Sequence, residues 1–167
     1  MDSHANLLVT DSANHKIRKI SPEGSVSTIA GGEYGYGEYG YQDGLSAQAL
    51  FRNPDGICID KADNVYVADS DNHKIRKISA AGVVSTISGR DRDKEGADFE
   101  WSRPYGICLD EHDNLVVADS NNHRIRVVVL RDPKKTQLAM FCLKNIPAVE
   151  LPSELVSHIA YFYHFSG

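Results

Sequence analysis

The chain has 167 residues, 41% of them hydrophobic and 25% charged, with a formal net charge of −5. That length suits one domain with a real core, and that balance excludes a disordered or membrane-embedded chain. The acidic excess counts against a general nucleic-acid binder, because phosphate contacts need a surplus of Lys and Arg on some face.

No run of residues approaches the ~18 apolar positions of a membrane span. The opening "MDSHANLLVTDSANHK" lacks the basic segment followed by an apolar one that marks a secretory signal. A cytoplasmic protein without a membrane partner is the expectation.

The first copy of a repeated pattern is "NLLVTDSANHKIRKIS" at 6–21, followed by "VSTIAG" at 26–31. It reads as two strands around a polar turn and then a third strand. Nothing before it matches the strand that opens the later copies. The loop at 31–54, "GGEYGYGEYGYQDGLSAQALFRNP", is rich in glycine and tyrosine. Its Tyr34, Tyr36, Tyr39 and Tyr41 have two readings: adaptable contacts for a partner, or rings folded back over the neighbouring strands.

The second copy is the fullest, at 54–89. "GICID" is a short apolar strand closed by Asp60, and "KADN" at 61–64 carries turn chemistry. In "VYVAD", Val65 and Val67 share one face while Tyr66 and Ala68 share the other. After the turn "SDNH" come the strands "KIRKIS" and "VVSTIS". Ile75 and Ile78 fall on opposite faces of the third strand, so both faces must meet apolar neighbours. Four antiparallel strands covered on both sides describe one blade of a β-propeller.

The third copy runs through "PYGICLDEHDN" at 104–114 and "VADSNNHRIRVVV" at 117–129. Its fourth strand is missing, and "QLAMFCL" at 137–143 is the candidate to supply it. At 151–164, Ser153 is a plausible N-cap, and Leu155, Ile159 and Phe162 share one helical face. This short C-terminal helix is expected to cap the last blade. "L-P-x-E-L" also faintly resembles the start of an F-box, the adaptor helix of ubiquitin ligases.

"NVYVADSDNHKIRKI", with "P-x-G-I-x-x-D" before it and "V-S-T-I-x-G" after it, resembles the NHL repeat. The resemblance covers residues 5–130 and implies an all-β fold, an incomplete NHL-type β-propeller of about three blades. The expected division is propeller blades over 1–143 and a helical tail over 144–167, with blades at 5–31, 54–89 and 104–143. NHL propellers mostly bind proteins or RNA, and related six-bladed folds include lactonases and a metal-dependent lyase.

Asp11/Asn14/His15, Asp69/Asn72/His73 and Asp119/Asn122/His123 occupy matching turns. A catalytic residue belongs in one unique setting, so a motif written three times is read as structural, with each Asp capping its own turn. A zinc site shared by the three histidines is disfavoured by their position beside hairpin turns. "DKADN" and "DEHDN" lack the spacing of a calcium loop, and no "G-x-S-x-G" or phosphate-cradling loop occurs. No metal, cofactor or catalytic residue is expected.

Arg18, Arg76 and Arg126 recur on the third strands. They could line one rim as an RNA-binding arc, but pairing with a neighbouring blade's Asp60 or Asp110 is favoured. Cys58 and Cys108 stand at equivalent places. Sheets ~10 Å apart exceed the ~7 Å Cα separation a disulfide tolerates, so they are expected to be reduced, buried thiols.

The sequence therefore points to a non-catalytic protein-binding or scaffolding module. The alternatives are a lactonase- or lyase-type enzyme, an RNA-binding module and a ubiquitin-ligase adaptor. An open row of blades exposes two apolar outer faces, one expected to carry Leu7, Val9, Ile17 and Ile20. Self-association through such faces is a further expectation.

Overall fold

The computed structural model describes residues 1–32, 38–89 and 100–130, which form short antiparallel strands joined by tight turns. The first blade holds β1 (Leu7–Asp11), β2 (Lys16–Ile20) and β3 (Val26–Ala30), paired in that order. The linker then contributes β4 (Gly44–Leu45).

The middle blade holds β5 (Pro54–Ile59), β6 (Val65–Asp69), β7 (Lys74–Ile78) and β8 (Val83–Ser88), and β4 joins its outer edge beside β8. The third blade holds β9 (Pro104–Leu109), β10 (Leu115–Asp119) and β11 (Arg124–Val128). The described sheets do not close into a barrel. No described helix is long and apolar enough to cross a membrane. The segment 137–143 and the tail helix expected over 151–164 lie outside the described residues.

Strand alternation explains why the blades stack, since successive side chains point to opposite faces. Val65, Val67, Ile78 and Val84 form one core with Ile17 and Ala30 of the first blade. Tyr66, Ala68 and Ile75 form a second core with Leu115, Val117 and Val128 of the third. Ile75 and Ile78 thus lie on opposite faces of β7, each against a different blade. Phe51 and Trp101, from the linkers that precede β5 and β9, plug the two seams.

The outer face of the first blade needs a correction. Ile17 is fully buried against the middle blade rather than exposed. Leu7, Val9 and Val26 are the exposed apolar side chains, at 49%, 39% and 56%. They match the buried Val65, Val67 and Val84 of the middle blade, whose face is covered.

The first copy also reaches further back than its motif suggests. Asp60 Oδ1 accepts the N–H groups of Ala62 and Asn64, and its carboxylate accepts the Asn64 amide. Asp110 holds His112 and Asn114 in the same way. Asp2 does so with His4 and Asn6. Ala5, Asp63 and Asp113 take left-handed backbone at matching places, with φ of 61°, 59° and 60°. The three turns are one structure, a carboxylate folded over the N–H groups that follow it, and in the middle and third blades it joins the first two strands.

Candidate interaction surface

Each signature begins where the second strand of a blade ends. In the middle blade Ser70–Asn72 make one 3-10 turn, closed by the His73 N–H on the Ser70 carbonyl at 3.1 Å. His73 is left-handed (φ 56°), as are His15 (φ 57°) and His123 (φ 52°), a conformation that side chains other than Gly and Asn seldom take.

The imidazole shows why histidine stands there. His73 Nδ1 accepts the backbone N–H of Arg103 at 3.0 Å, and His15 Nδ1 accepts that of Asn53 at 3.1 Å. The neighbouring serine completes the grip. Ser70 Oγ donates to the Pro104 carbonyl at 2.5 Å, and Ser12 Oγ to the Pro54 carbonyl at 2.6 Å. Each turn therefore clasps the residue–proline pair that heads the next blade's inner strand.

Asp69 does not cap its own turn, contrary to the expectation. Its Oδ1 accepts the N–H of Arg52 in the linker at 2.8 Å; its Oδ2 accepts Asn72 at 2.8 Å and Arg76 at 2.7 Å. Asp119 repeats this with the Ser102 N–H, Asn122 and Arg126. Burial pushes the Asp69 carboxyl above its ordinary pKa, against the pull of the Arg52 N–H, Asn72 and Arg76. The carboxylate pins the linker to the blade. In the first blade Asp11 bonds Asn14, while Arg18 stands 3.9 Å away, both about one-third exposed.

The arginines pair within their own blade, and not with Asp60 or Asp110. Arg76 is fully buried, donating to Asp69, to Asp43 and to the carbonyls of Leu50 and Gln42. Its guanidinium lies over Phe51 at 4.9 Å and Tyr41 at 5.0 Å. Arg126 is 5% exposed and lies over Trp101 at 5.5 Å. Two of the three guanidinium groups are thus internal, and they form no exposed cationic arc with Arg18.

Tyr34 and Tyr36 lie outside the described residues. Tyr39 packs against the His15 ring at 5.1 Å and under Arg52 at 5.3 Å. Tyr41 sits beneath Lys74 at 4.3 Å, and the Thr86 hydroxyl donates to its hydroxyl at 3.3 Å. Both rings fold back on the blades yet remain 55% and 42% exposed. Nearby, Leu45 and Val83 face each other across β4 and β8, at 58% and 42% exposure.

Asp71 belongs to no repeat, since Ala13 and Asn121 stand in its place. It accepts the Asn53 amide at 2.5 Å and pairs with Arg103 at 3.2 Å, tying two successive inner strands together. The only sequence sign of it was the departure from the repeat. Among the described residues no group of His, Cys, Asp or Glu converges as metal ligands would. Burial, with Cys108 and Asp60 nearby, pushes the Cys58 thiol up to about 12, and burial raises Cys108 as well. Such thiols stay protonated and unreactive.

The model of the NHL repeat matches residues 51–78 and 102–128. NHL repeat-containing protein 2 of Bos taurus is 35% identical over 94 residues, covering 54% of this chain and 12% of that protein. Among solved structures, a protein of unknown function from Bacteroides thetaiotaomicron superposes with a TM-score of 0.63 at 26% identity, over 72% of this chain and 31% of its own. Virginiamycin B lyase from Staphylococcus aureus gives 0.53 at 16% identity, over 77% and 36%, a likeness of fold alone. The structural neighbours are β-propellers, and this chain spans about a third of each of these two structures. The buried Asp69–Arg76 and Asp119–Arg126 pairs lie within those two matched segments, and residues 51–78 and 102–128 are NHL repeats.

Proposed function

We propose that this chain is a non-catalytic interaction module that binds protein, with the unrepeated shelf on the middle blade as its contact surface. One observation carries the reading. The repeated polar groups are mostly engaged inside the fold, whereas exposed aromatic and aliphatic groups gather on the linker segment that carries Tyr39, Tyr41 and Leu45, with Val83 beside it. Aromatic rings held by a rigid sheet give large contact area at little entropic cost, which suits protein recognition. An RNA-binding arc has less support, because Arg76 and Arg126 are internal.

The test compares crosslinked partners of the wild-type chain with those of a Tyr39→Ser/Leu45→Ser/Val83→Ser variant, alongside turnover assays on lactones and cyclic depsipeptides. The expected result is a defined set of proteins lost with the variant, at unchanged melting temperature, and no turnover. Turnover, or partners indifferent to the three substitutions, overturns the reading.

A further inference from the structure

The linker that carries Tyr39 and Tyr41 uses the two edges of its backbone differently. Gly40 donates its N–H to the Phe51 carbonyl at 3.1 Å, and its own carbonyl accepts the Asn72 amide at 2.6 Å. The Gln42 carbonyl accepts the Leu50 N–H at 3.1 Å and Arg76 Nη2 at 2.8 Å, and Gln42 and Leu50 pair as an antiparallel bridge. Gly40 and Gln42 thus turn their backbone groups inward, towards the blade. In an extended segment the residues that alternate with them turn theirs the other way. The N–H and C=O groups of Tyr39 and Tyr41 bond nothing among the described residues. Residues 39–41 therefore form an edge, held on one side and open on the other, with a half-exposed ring at each end.

Arg52 gives that edge a charge. It is exposed, its guanidinium lies over the Tyr39 ring at 5.3 Å, and it makes no ion pair among the described residues. We propose that an extended, carboxylate-bearing strand of another protein adds to this edge, bonding the backbone of Tyr39 and Tyr41 and setting its acid against Arg52. The inference rests on the protein-binding reading above and names the form of the ligand. Main-chain hydrogen bonds supply the affinity of such strand addition, and side-chain contacts supply its specificity. Tyr39 and Tyr41 are two positions apart, so their rings share one face of the edge and cover alternate side chains of the incoming strand.

A second copy of the chain suits the edge less well. In a two-fold pairing centred on Gly40, Tyr39 meets Tyr41 of the other copy and Arg52 lies towards the end that carries Asp43. That carboxylate is already engaged: one oxygen takes Arg76 and the Thr86 hydroxyl, and the other takes the Thr86 N–H. The unanswered charge on Arg52 therefore favours a foreign strand that brings its own acid.

The experiment selects ligands for the full chain from a phage-displayed library of random heptapeptides and follows a synthetic copy of the selected peptide by NMR hydrogen exchange. In the chain alone the Gly40 amide should exchange slowly and the Tyr39 and Tyr41 amides fast. The bound peptide should slow both tyrosine amides at least about tenfold, and N-methylation of its alternate amides should abolish binding. The selected sequences should share an Asp or Glu. Arg52→Glu, which keeps its backbone N–H on Asp69, should weaken binding at least about tenfold, the scale for a hydrogen bond to a charged group. No selected peptide, peptides indifferent to Arg52→Glu, or binding that leaves both tyrosine amides unprotected overturns the proposal. In that last case, loss of the peptide with Tyr39→Ser/Leu45→Ser/Val83→Ser would leave the protein-binding reading standing. Protection of both amides that rises with the chain's own concentration would assign the edge to a second copy and overturns the proposal equally.

Discussion

His73 Nδ1 lies 3.0 Å from the backbone N–H of Arg103, a residue of the linker to the next blade. A nitrogen that accepts there carries no proton, so the ring is the neutral tautomer with its hydrogen on Nε2. The histidine of this repeat is thus a fastener between blades. Its backbone closes one turn, its ring satisfies an amide of the next sheet, and Ser70 satisfies the carbonyl one residue further on. The Pro104 carbonyl is met in a buried hydrogen bond and needs that partner, while the Arg103 N–H is held by the ring at an exposed edge of the seam.

The three repeated aspartates should not behave alike. Asp69→Ala leaves a fully buried Arg76 without its carboxylate and frees the Arg52 N–H, which should cost ~3–5 kcal/mol. Asp119→Ala should follow it, because Arg126 is nearly as buried. Asp11→Ala should cost no more than ~1 kcal/mol, since its arginine is 3.9 Å away and both are partly solvated. Urea midpoints of the three variants check the ranking, and equal losses would show that the aspartates only stabilise their local turns.

That ranking was not legible in the sequence, although the fold largely was. Strand positions followed from alternation in "VYVAD" and from turn residues at fixed offsets, and both faces of β7 were read from Ile75 and Ile78. The destination of Asp69 was hidden because its acceptor role is met by an N–H in a linker, where no pattern announces a partner. β4 is two residues long, too short for a periodic signal. The Asp2 turn carries a weak signal in the sequence, because only its Asp and Asn are shared with both later copies and His4 with the third alone. Ile17 and Ile20 are three positions apart, so the alternation that parts Ile75 from Ile78 parts them too, and the two cannot share the outer face.

Gly56 marks where two inner strands touch. A Cβ there would stand 2.1 Å from the Tyr105 carbonyl oxygen and 3.0 Å from the Ile107 nitrogen, both backbone atoms that cannot swing aside. Gly56→Ala should therefore part the second and third blades at a cost of ~1–3 kcal/mol or more. Trp101, the chain's one tryptophan, is buried in that seam and reports the opening by red-shifted emission. Unshifted emission with unchanged stability would mean that the strands can separate without penalty.

Acid should loosen the β5–β6 and β9–β10 hairpins. Burial opposes ionisation of Asp60, but the Asn64 side chain and N–H, the Tyr66 hydroxyl and the Ala62 N–H together hold its carboxyl below the ordinary 3.8. Asp110 is lowered likewise by Asn114 and His112. A depressed folded pKa stabilises the fold above the unfolded value, and that contribution disappears as pH falls through the folded one. Asp60→Asn should thus lower the urea midpoint near neutral pH and converge with the wild type well below 3.8. A gap that persists in acid would mean that charge is not what holds the turn.

The most direct test of the clasp compares His15→Gly, His73→Gly and His123→Gly by thermal melting of the isolated chain. Glycine keeps the left-handed backbone that all three positions share and removes only the ring. His15 and His73 accept amides of the next blade, while His123 has no such partner among the described residues. The expected result is a loss of ~0.5–1.5 kcal/mol for each of the first two, the net contribution of one hydrogen bond, and almost none for the third. Equal losses at all three would contradict the account, because the histidine would then serve its own turn and not the blade beyond it.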